Sequence, residues 1–256
     1  MQIHKLWWAL TGLVSVSSAT ATRNQTKGID VFEIQLPVNW KTAVADGVEF
    51  IYVKATEGIN VQNLRFPLQT QGAVAAGVLH GAVHFATAAE SSGAAQADFF
   101  IEHGGDWTPD GQTLPGVLEM EGNIAGKLCH GGMTPTEITD WMLDFSHTYQ
   151  LRTGRAPMLF LSAKWWAQCA GNNATLGADH ALWLANWADE MGALPVGWTE
   201  AAFWQYAGLS ENQARPMYFL AVLRTWYGLQ WDDYTTTYYS LLFTTIHYYL
   251  LLFTTM

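Results

Sequence analysis

The sequence predicts a single-domain α/β fold, a TIM-like (β/α) barrel, on three observations. Strand-like apolar runs recur along the chain with helix-like or loop segments between them, the pattern of a parallel sheet with crossover helices. Seven such runs can be counted, at 28–31, 50–55, 78–85, 116–121, 157–162, 181–185 and 202–206, which suits a barrel. No interior linker breaks the chain, and the roughly 235 residues left after the N-terminal leader fit one barrel domain.

The leader is the first element. Met1 to Lys5 supply a charged start, Leu6 to Val14 a short apolar centre, and Ala19-Thr20-Ala21 a small-x-small exit, so residues 1–21 read as a cleavable secretory signal too short to span a membrane. The folded chain then begins near Thr22. Helical segments are expected at 63–76, 92–103, 134–153 and 163–169, and Thr134-Pro135-Thr136-Glu137 reads as a cap, a first-turn proline and a first-turn acid.

Composition narrows the function. With 12 basic and 22 acidic residues the formal charge is −10, and loss of the leader, with its single Lys and no acid, makes it −11. That balance argues against nucleic acid as a partner. A carbohydrate would have to be held by stacking and hydrogen bonds, and 13 Trp make stacking available, although most of them belong to a large core. Cys129 and Cys169 form an even pair in a chain with a secretory leader, so one disulfide is expected. Their spacing disfavours a metal site. His80 and His84 lie in a strand-like run without the Glu of a zinc protease motif, so neither metal nor cofactor is expected. Asn24 and Asn173 head glycosylation sequons.

The fourth strand carries the chemistry. In Val117-Leu118-Glu119-Met120-Glu121 a period of two sends both glutamates to one face, and paired carboxylates suit glycoside hydrolysis, where one acid donates a proton and the other stabilises positive charge. The same spacing describes the wet face of an amphipathic strand. The neighbours favour catalysis: Pro115-Gly116 and Gly122-Asn123 bound a strand whose Val117, Leu118 and Met120 read as buried on both faces, where unpaired acids are expensive. In a barrel of this kind catalytic groups gather at the carboxyl ends of strands. Polar residues there form a set: Asp30, Glu57, His84, Glu119, Glu121, Asn186, Trp187, Gln205 and Tyr206. Each also has a plainer explanation, His84 as a satisfied core histidine, Asp30 as a capping acid and Trp187 as packing.

Several stretches together resemble a known family. They are Gly28-Ile29-Asp30-Val31, Val53-Lys54-Ala55-Thr56-Glu57-Gly58, Gly81-Ala82-Val83-His84-Phe85, Ser92-Gly93-Ala94-Ala95-Gln96-Ala97, Leu114-Pro115-Gly116, Thr153-Gly154-Arg155-Ala156-Pro157 and Phe203-Trp204-Gln205-Tyr206-Ala207. From about residue 28 to 208 the chain is similar to the fungal and bacterial muramidases of glycoside hydrolase family 25, the Chalaropsis-type lysozymes. The resemblance implies a modified TIM-like (β/α) barrel that cuts the β-1,4 bond between N-acetylmuramic acid and N-acetylglucosamine in bacterial peptidoglycan. It implies Glu121 as general acid, Glu119 as the acid that orients the substrate's 2-acetamido group or stabilises the oxocarbenium ion, and Asp30 as the family's first-strand acid. Tyr52, Glu57, His84, Asn186, Trp187, Trp204, Gln205 and Tyr206 are the expected substrate contacts, and the two Cys fall where fungal members carry a disulfide. A secreted monomer acting on bacterial cell walls is expected.

Three departures qualify the match. Glu119 stands where the family has Asp, one methylene longer, and a displacement of about 1 Å in a positioned group can cost on the order of a hundredfold in rate. The acid that many members carry after Phe-Trp-Gln-Tyr is missing from Gln213 to Phe219, and Glu211 is a poor substitute by position. Phe32-Glu33-Ile34 and Leu36 replace a small polar stretch after the first strand. These departures leave a catalytically impaired or inactive glycan-binding relative, or a degraded gene product, as alternatives, with a chitinase behind them. The tail at 232–256 nearly repeats itself, Tyr238 to Thr245 as Tyr248 to Thr255. It reads best as a mispredicted exon or frameshift, and membrane contact is expected only if that tail is genuine.

Overall fold

The computed structural model describes residues 26–33, 38–122, 128–207 and 219–223. The leader, the sequon at Asn24, Glu211, Gln213 and the tail at 232–256 lie outside the described residues. The strands are β1 (Thr26–Val31), β2 (Val48–Glu57), β3 (Val61–Gln62), β4 (Leu79–Phe85), β5 (Val117–Glu119), β6 (Met158–Leu161), β7 (Leu182–Ala185), β8 (Phe203–Ala207) and β9 (Phe219–Leu223). They form one sheet that returns on itself. β1 pairs in parallel with β2, and the parallel order continues through β4, β5, β6, β7 and β8. β9 then pairs antiparallel with both β8 and β1 and closes the ring.

All seven predicted strands are present, with ends shifted by a residue or two. The fourth is shorter than its run of apolar residues suggests: the ladder stops at Glu119, and Met120 adds one last bond from its N–H to the Phe160 carbonyl, 2.8 Å. The sequence reading missed β9, the strand that makes the barrel a modified one, and the short hairpin strand β3. It also missed two short helices, α1 (Trp40–Ala45) and α6 (Thr175–Asp179).

The remaining helices are α2 (Phe66–Ala75), α3 (Gly93–Phe100), which runs on into a π-helical turn at Ile101–Gly105, α4 (Pro135–Thr153) and α5 (Ala163–Cys169). The cap predicted for α4 is formed as a reciprocal pair: Glu137 N–H donates to Thr134 Oγ1, and Thr134 N–H donates to the Glu137 carboxylate at 2.7 Å. Gly154 ends that helix with φ of 76°, where a side chain would be strained. α2 starts three residues later than expected because Asn63 does other work. Its amide donates to Lys54 O and Gln69 Oε1, and its oxygen accepts from Arg65 N–H, a local turn that ties the helix to β2.

Strand alternation sorts the core into two layers. Phe50, Tyr52, Val83, Val117, Met158, Phe160, Trp183 and Phe203 pack inside the barrel. Ile29, Val31, Ile51 and Val53 face outward against α1 and α2, and Leu118, Met120, Leu159, Leu161, Leu182 and Leu184 face outward against α3, α4 and α5. The interior is filled to the backbone: a Cβ added at Gly28 would lie 2.0 Å from the Phe50 ring, and one at Gly81 2.2 Å from Tyr52.

Cys129 and Cys169 are bonded, with Cα atoms 5.2 Å apart, which fastens the segment before α4 to the end of α5. Asn173 is partly exposed ahead of α6, and its oxygen accepts from Thr175 N–H at 2.9 Å. No helix of the described residues is long and apolar enough to cross a membrane.

The disulfide closes a span of 40 residues. Replacing both Cys by Ala should lower the unfolding free energy by about 4 kcal/mol through the freed unfolded chain. Chemical denaturation of the two proteins checks this, and coincident midpoints would contradict it.

Candidate active site

The barrel interior changes character along its axis. At the amino-terminal ends of the strands the inward positions are aromatic and aliphatic, and one alternation further on the same inward face presents Asp30 on β1, Lys54 on β2, Glu119 on β5 and Gln205 on β8. These four line a cavity of about 490 Å³ at the carboxyl ends of the strands, together with Glu57, Glu121 and Trp187. That volume lies in the usual range for a small-molecule site. Its walls are apolar, built from Phe32, Val83, Phe85, Phe160 and Trp183.

Glu119 and Glu121 reach this cavity by the alternation expected of them. Val117 faces the barrel interior, Leu118 and Met120 face the helices, and the two acids line the cavity, although Glu121 lies beyond the last ladder residue. β2 needs a different device. Its pairing with β4 slips between Lys54 and Thr56, so Lys54 is level with Val83 and Thr56 with His84. The irregularity reverses the strand's parity. Thr56 turns outward to His84, and Lys54 and Glu57 both line the cavity, joined by an ion pair of 2.5 Å. The Lys54 ammonium also sits 4.5 Å from the centre of the Phe85 ring. Glu57 is the last residue of β2, one place earlier than the sequence reading put it relative to the strand.

Four carboxyl groups and one ammonium thus share an apolar enclosure among the described residues. Burial pushes the Glu119 carboxyl well above the usual carboxylate range, and the charge of Glu121 pushes it further, against the opposing pull of Lys54. Burial also raises Glu121, again opposed by Lys54. Asp30 is pushed up to about 7 by burial, the amide of Gln205 working against this and Glu121 adding to it. Protons held by these acids relieve the crowding of like charge, and an acid that keeps its proton near neutral pH in a dry pocket can give it to a substrate oxygen.

Other residues expected as substrate contacts do not line this cavity, His84 and Trp204 by parity and Tyr52 by depth. His84 alternates with the inward-facing Val83 and Phe85, so it faces the helices. It is fully buried, bonded through Nδ1 to Thr56 Oγ1 at 2.8 Å and through Nε2 to Gln96 Oε1 at 2.9 Å, and stacked on Phe145. Burial depresses it to about 4, which keeps the ring neutral as a tie between β4 and α3. Tyr52 does face inward, but one alternation below the cavity, where its hydroxyl donates to Pro115 O at 3.0 Å. Trp204 faces the opposite way from Gln205 and donates through Nε1 to Asn186 O. Asn186 spends its amide on the carbonyls of Glu190 and Met191, and Tyr206 sits half-buried with its ring 5.6 Å from that of Trp204.

Sequence reasoning missed Lys54, Phe85 and Trp183 at the cavity. Lys54 could have been found from alternation within β2, since it is two residues past the inward-facing Tyr52. Trp183 is almost wholly buried, lines the cavity, and has an indole N–H with no hydrogen-bond partner.

Residues 29–214 match the family model for glycosyl hydrolases family 25. Lysozyme M1 from Streptomyces globisporus is 39% identical over 187 residues, 73% of this chain and 63% of that protein. An N,O-diacetylmuramidase from Chalaropsis sp is 39% identical over 183 residues, 70% of this chain and 86% of the other. The structure of a muramidase from Acremonium alcalophilum superposes with a TM-score of 0.73 at 37% identity, covering 77% of this chain and 93% of that one. The chain therefore spans a little under two thirds of its Streptomyces relative and most of the fungal ones.

The raised carboxyls predict how stability depends on pH. Asp30 titrates at about 7 in the folded chain against an ordinary 3.8, so between those values the folded state keeps a proton that the unfolded chain releases. Stability is therefore greatest below the lower value and declines as pH rises through the upper, by up to about 4 kcal/mol for this group. Asp30→Asn should flatten that decline and raise the melting temperature above neutral pH. Melting curves of both proteins across pH test this, and parallel pH dependences would refute it.

Proposed function

From its membership of glycosyl hydrolases family 25, to which the chain belongs, we propose that it is a secreted lysozyme, an N-acetylmuramidase that hydrolyses the β-1,4 bonds of peptidoglycan. The observation that carries this reading is the convergence of Asp30, Glu119 and Glu121, all with raised carboxyl pKa values, on one apolar-walled cavity at the carboxyl ends of the barrel strands.

Glu121 donates its proton to the leaving glycosidic oxygen. Its position just beyond β5 leaves it less deeply set than Glu119, and burial raises its carboxyl above the usual carboxylate range, the direction a general acid requires. Glu119 orients the 2-acetamido group of the sugar or stabilises positive charge at the anomeric carbon, and Asp30 completes the acidic floor. Substrate-assisted hydrolysis of this kind is a recognised exception to the two-carboxylate scheme. Trp187, 62% exposed at the cavity, offers a face for a sugar ring, and Phe32 walls the groove. Export follows from residues 1–21 as a cleaved leader, and the disulfide is consistent with an oxidising destination. Binding without turnover is the weaker reading, because it gives no reason to hold three costly carboxyls in a dry cavity.

The test is release of reducing ends from purified bacterial peptidoglycan. Glu121→Gln should lower turnover by about 10²- to 10⁴-fold while leaving glycan binding, the range for loss of a general acid. Glu119→Asp, which restores the shorter side chain, should raise it. Undiminished turnover in Glu121→Gln would overturn the acid assignment, and binding without any turnover by the unaltered chain would overturn the enzyme reading.

A further inference from the structure

A chain of hydrogen bonds runs from the mouth of the cavity to its floor. The Trp187 indole Nε1–H donates to Gln205 Oε1 at 2.8 Å, and Gln205 Nε2 donates to Asp30 Oδ2 at 3.0 Å. The direction is fixed by chemistry. An indole N–H can only donate, so the Gln205 oxygen must face it, and the amide nitrogen is then left to face Asp30 as a donor. Gln205 is 6% exposed, whereas Trp187 holds most of its surface in solvent. The backbone beside Trp187 is pinned as well: Asn186 N–H donates to Gln205 O at 3.1 Å, and Asn186 O accepts from Trp204 Nε1 at 2.7 Å.

We propose that Gln205 is a positioning residue rather than a substrate contact, oriented by the exposed indole of Trp187 so that it holds Asp30 as a hydrogen-bond acceptor and thereby sets when that carboxyl gives up its proton. Trp187 then has two roles, a face for the sugar and an N–H that locks the amide.

The surroundings of Asp30 leave few other groups to do this. Glu121 and Glu119 oppose its charge from β5 and the residues after it, and Lys54 and Glu57 on β2 line the same cavity but are paired with each other. β8 contributes the neutral Gln205, and β9, level with Asp30 at Phe219, carries no titratable side chain over Phe219–Leu223. Among these elements the Gln205 amide is the uncharged donor to Asp30, and it favours the ionised form. An amide free to turn over would offer its N–H to the carboxylate but its oxygen to the protonated carboxyl, and would no longer favour the ionised form.

Trp187→Phe separates the two roles, since it keeps a flat aromatic face and removes only the N–H. The Asp30 titration, followed by NMR of aspartate labelled at the carboxyl carbon and assigned with Asp30→Asn, should move upward by about half a unit or more in Trp187→Phe and by at least as much in Gln205→Leu. The double variant should move no further than Gln205→Leu alone, because the two groups act in series. In activity, which rests on the muramidase reading, the pH limb governed by Asp30 should move in the same direction. An unmoved titration in Trp187→Phe overturns the proposal, as do additive shifts in the double variant. The titration needs no turnover, so it decides the coupling even for a chain that fails to hydrolyse glycan.

Discussion

In a closed ring of strands every second side chain is forced into one enclosed volume, and that volume has room for only so many groups. Here the inward positions are consumed from the bottom by Phe50, Tyr52, Met158, Trp183 and Phe203, which fill the barrel so fully that Gly28 and Gly81 are required beside the rings. What remains at the top is a shallow apolar bowl. Any acid on the next inward position is therefore partly stripped of water without being given a partner for each oxygen. The chemistry of the site follows from this packing, because the aromatic plug keeps Asp30, Glu119 and Glu121 from sinking to where they would be silent or rising to where water would restore their ordinary acidity.

The bowl also needs a counter-charge. Lys54 meets that need by regular alternation from Tyr52, and Glu57 joins it only because β2 breaks that alternation at Ala55: without the slip, Thr56 would occupy the cavity and Glu57 would face the helices. The irregularity places a cation and its anchoring carboxylate three residues apart on one side of a strand, a spacing regular pleating forbids. It simultaneously turns Thr56 toward His84, so one backbone defect supplies both the electrostatic partner in the site and a buried tie behind it.

Much of this was legible in the residues. The seven parallel strands follow from apolar runs of the right length, and Glu119 and Glu121 share a cavity as period two suggests, although β5 itself ends at Glu119. The α4 cap could be read letter by letter. The residues that do not line the cavity have a common feature: proximity to the strand ends in sequence fixes neither which face a side chain takes nor how deep it lies. His84 and Trp204 have the wrong parity, and Tyr52 has the right parity at the wrong depth. Lys54 follows from alternation past Tyr52, whereas the inward turn of Glu57 beside it depends on a slip in pairing that no local pattern announces, and β9 is a strand only because two open edges are waiting for it.

Those waiting edges have a consequence for how the molecule is made. β9 pairs Leu223 with Thr26 at one side and with Phe203 at the other, so the contact that completes the ring joins segments almost the whole described length apart. As the chain leaves the ribosome, β1 and β8 must wait with unpaired backbone until residues 219–223 emerge, and such edges are templates for pairing between molecules. Loops closed over such distances form slowly. The last of the described strands to be synthesised is thus the one that takes the nascent barrel out of danger, and a translation product stalled or truncated before it would present both edges at once.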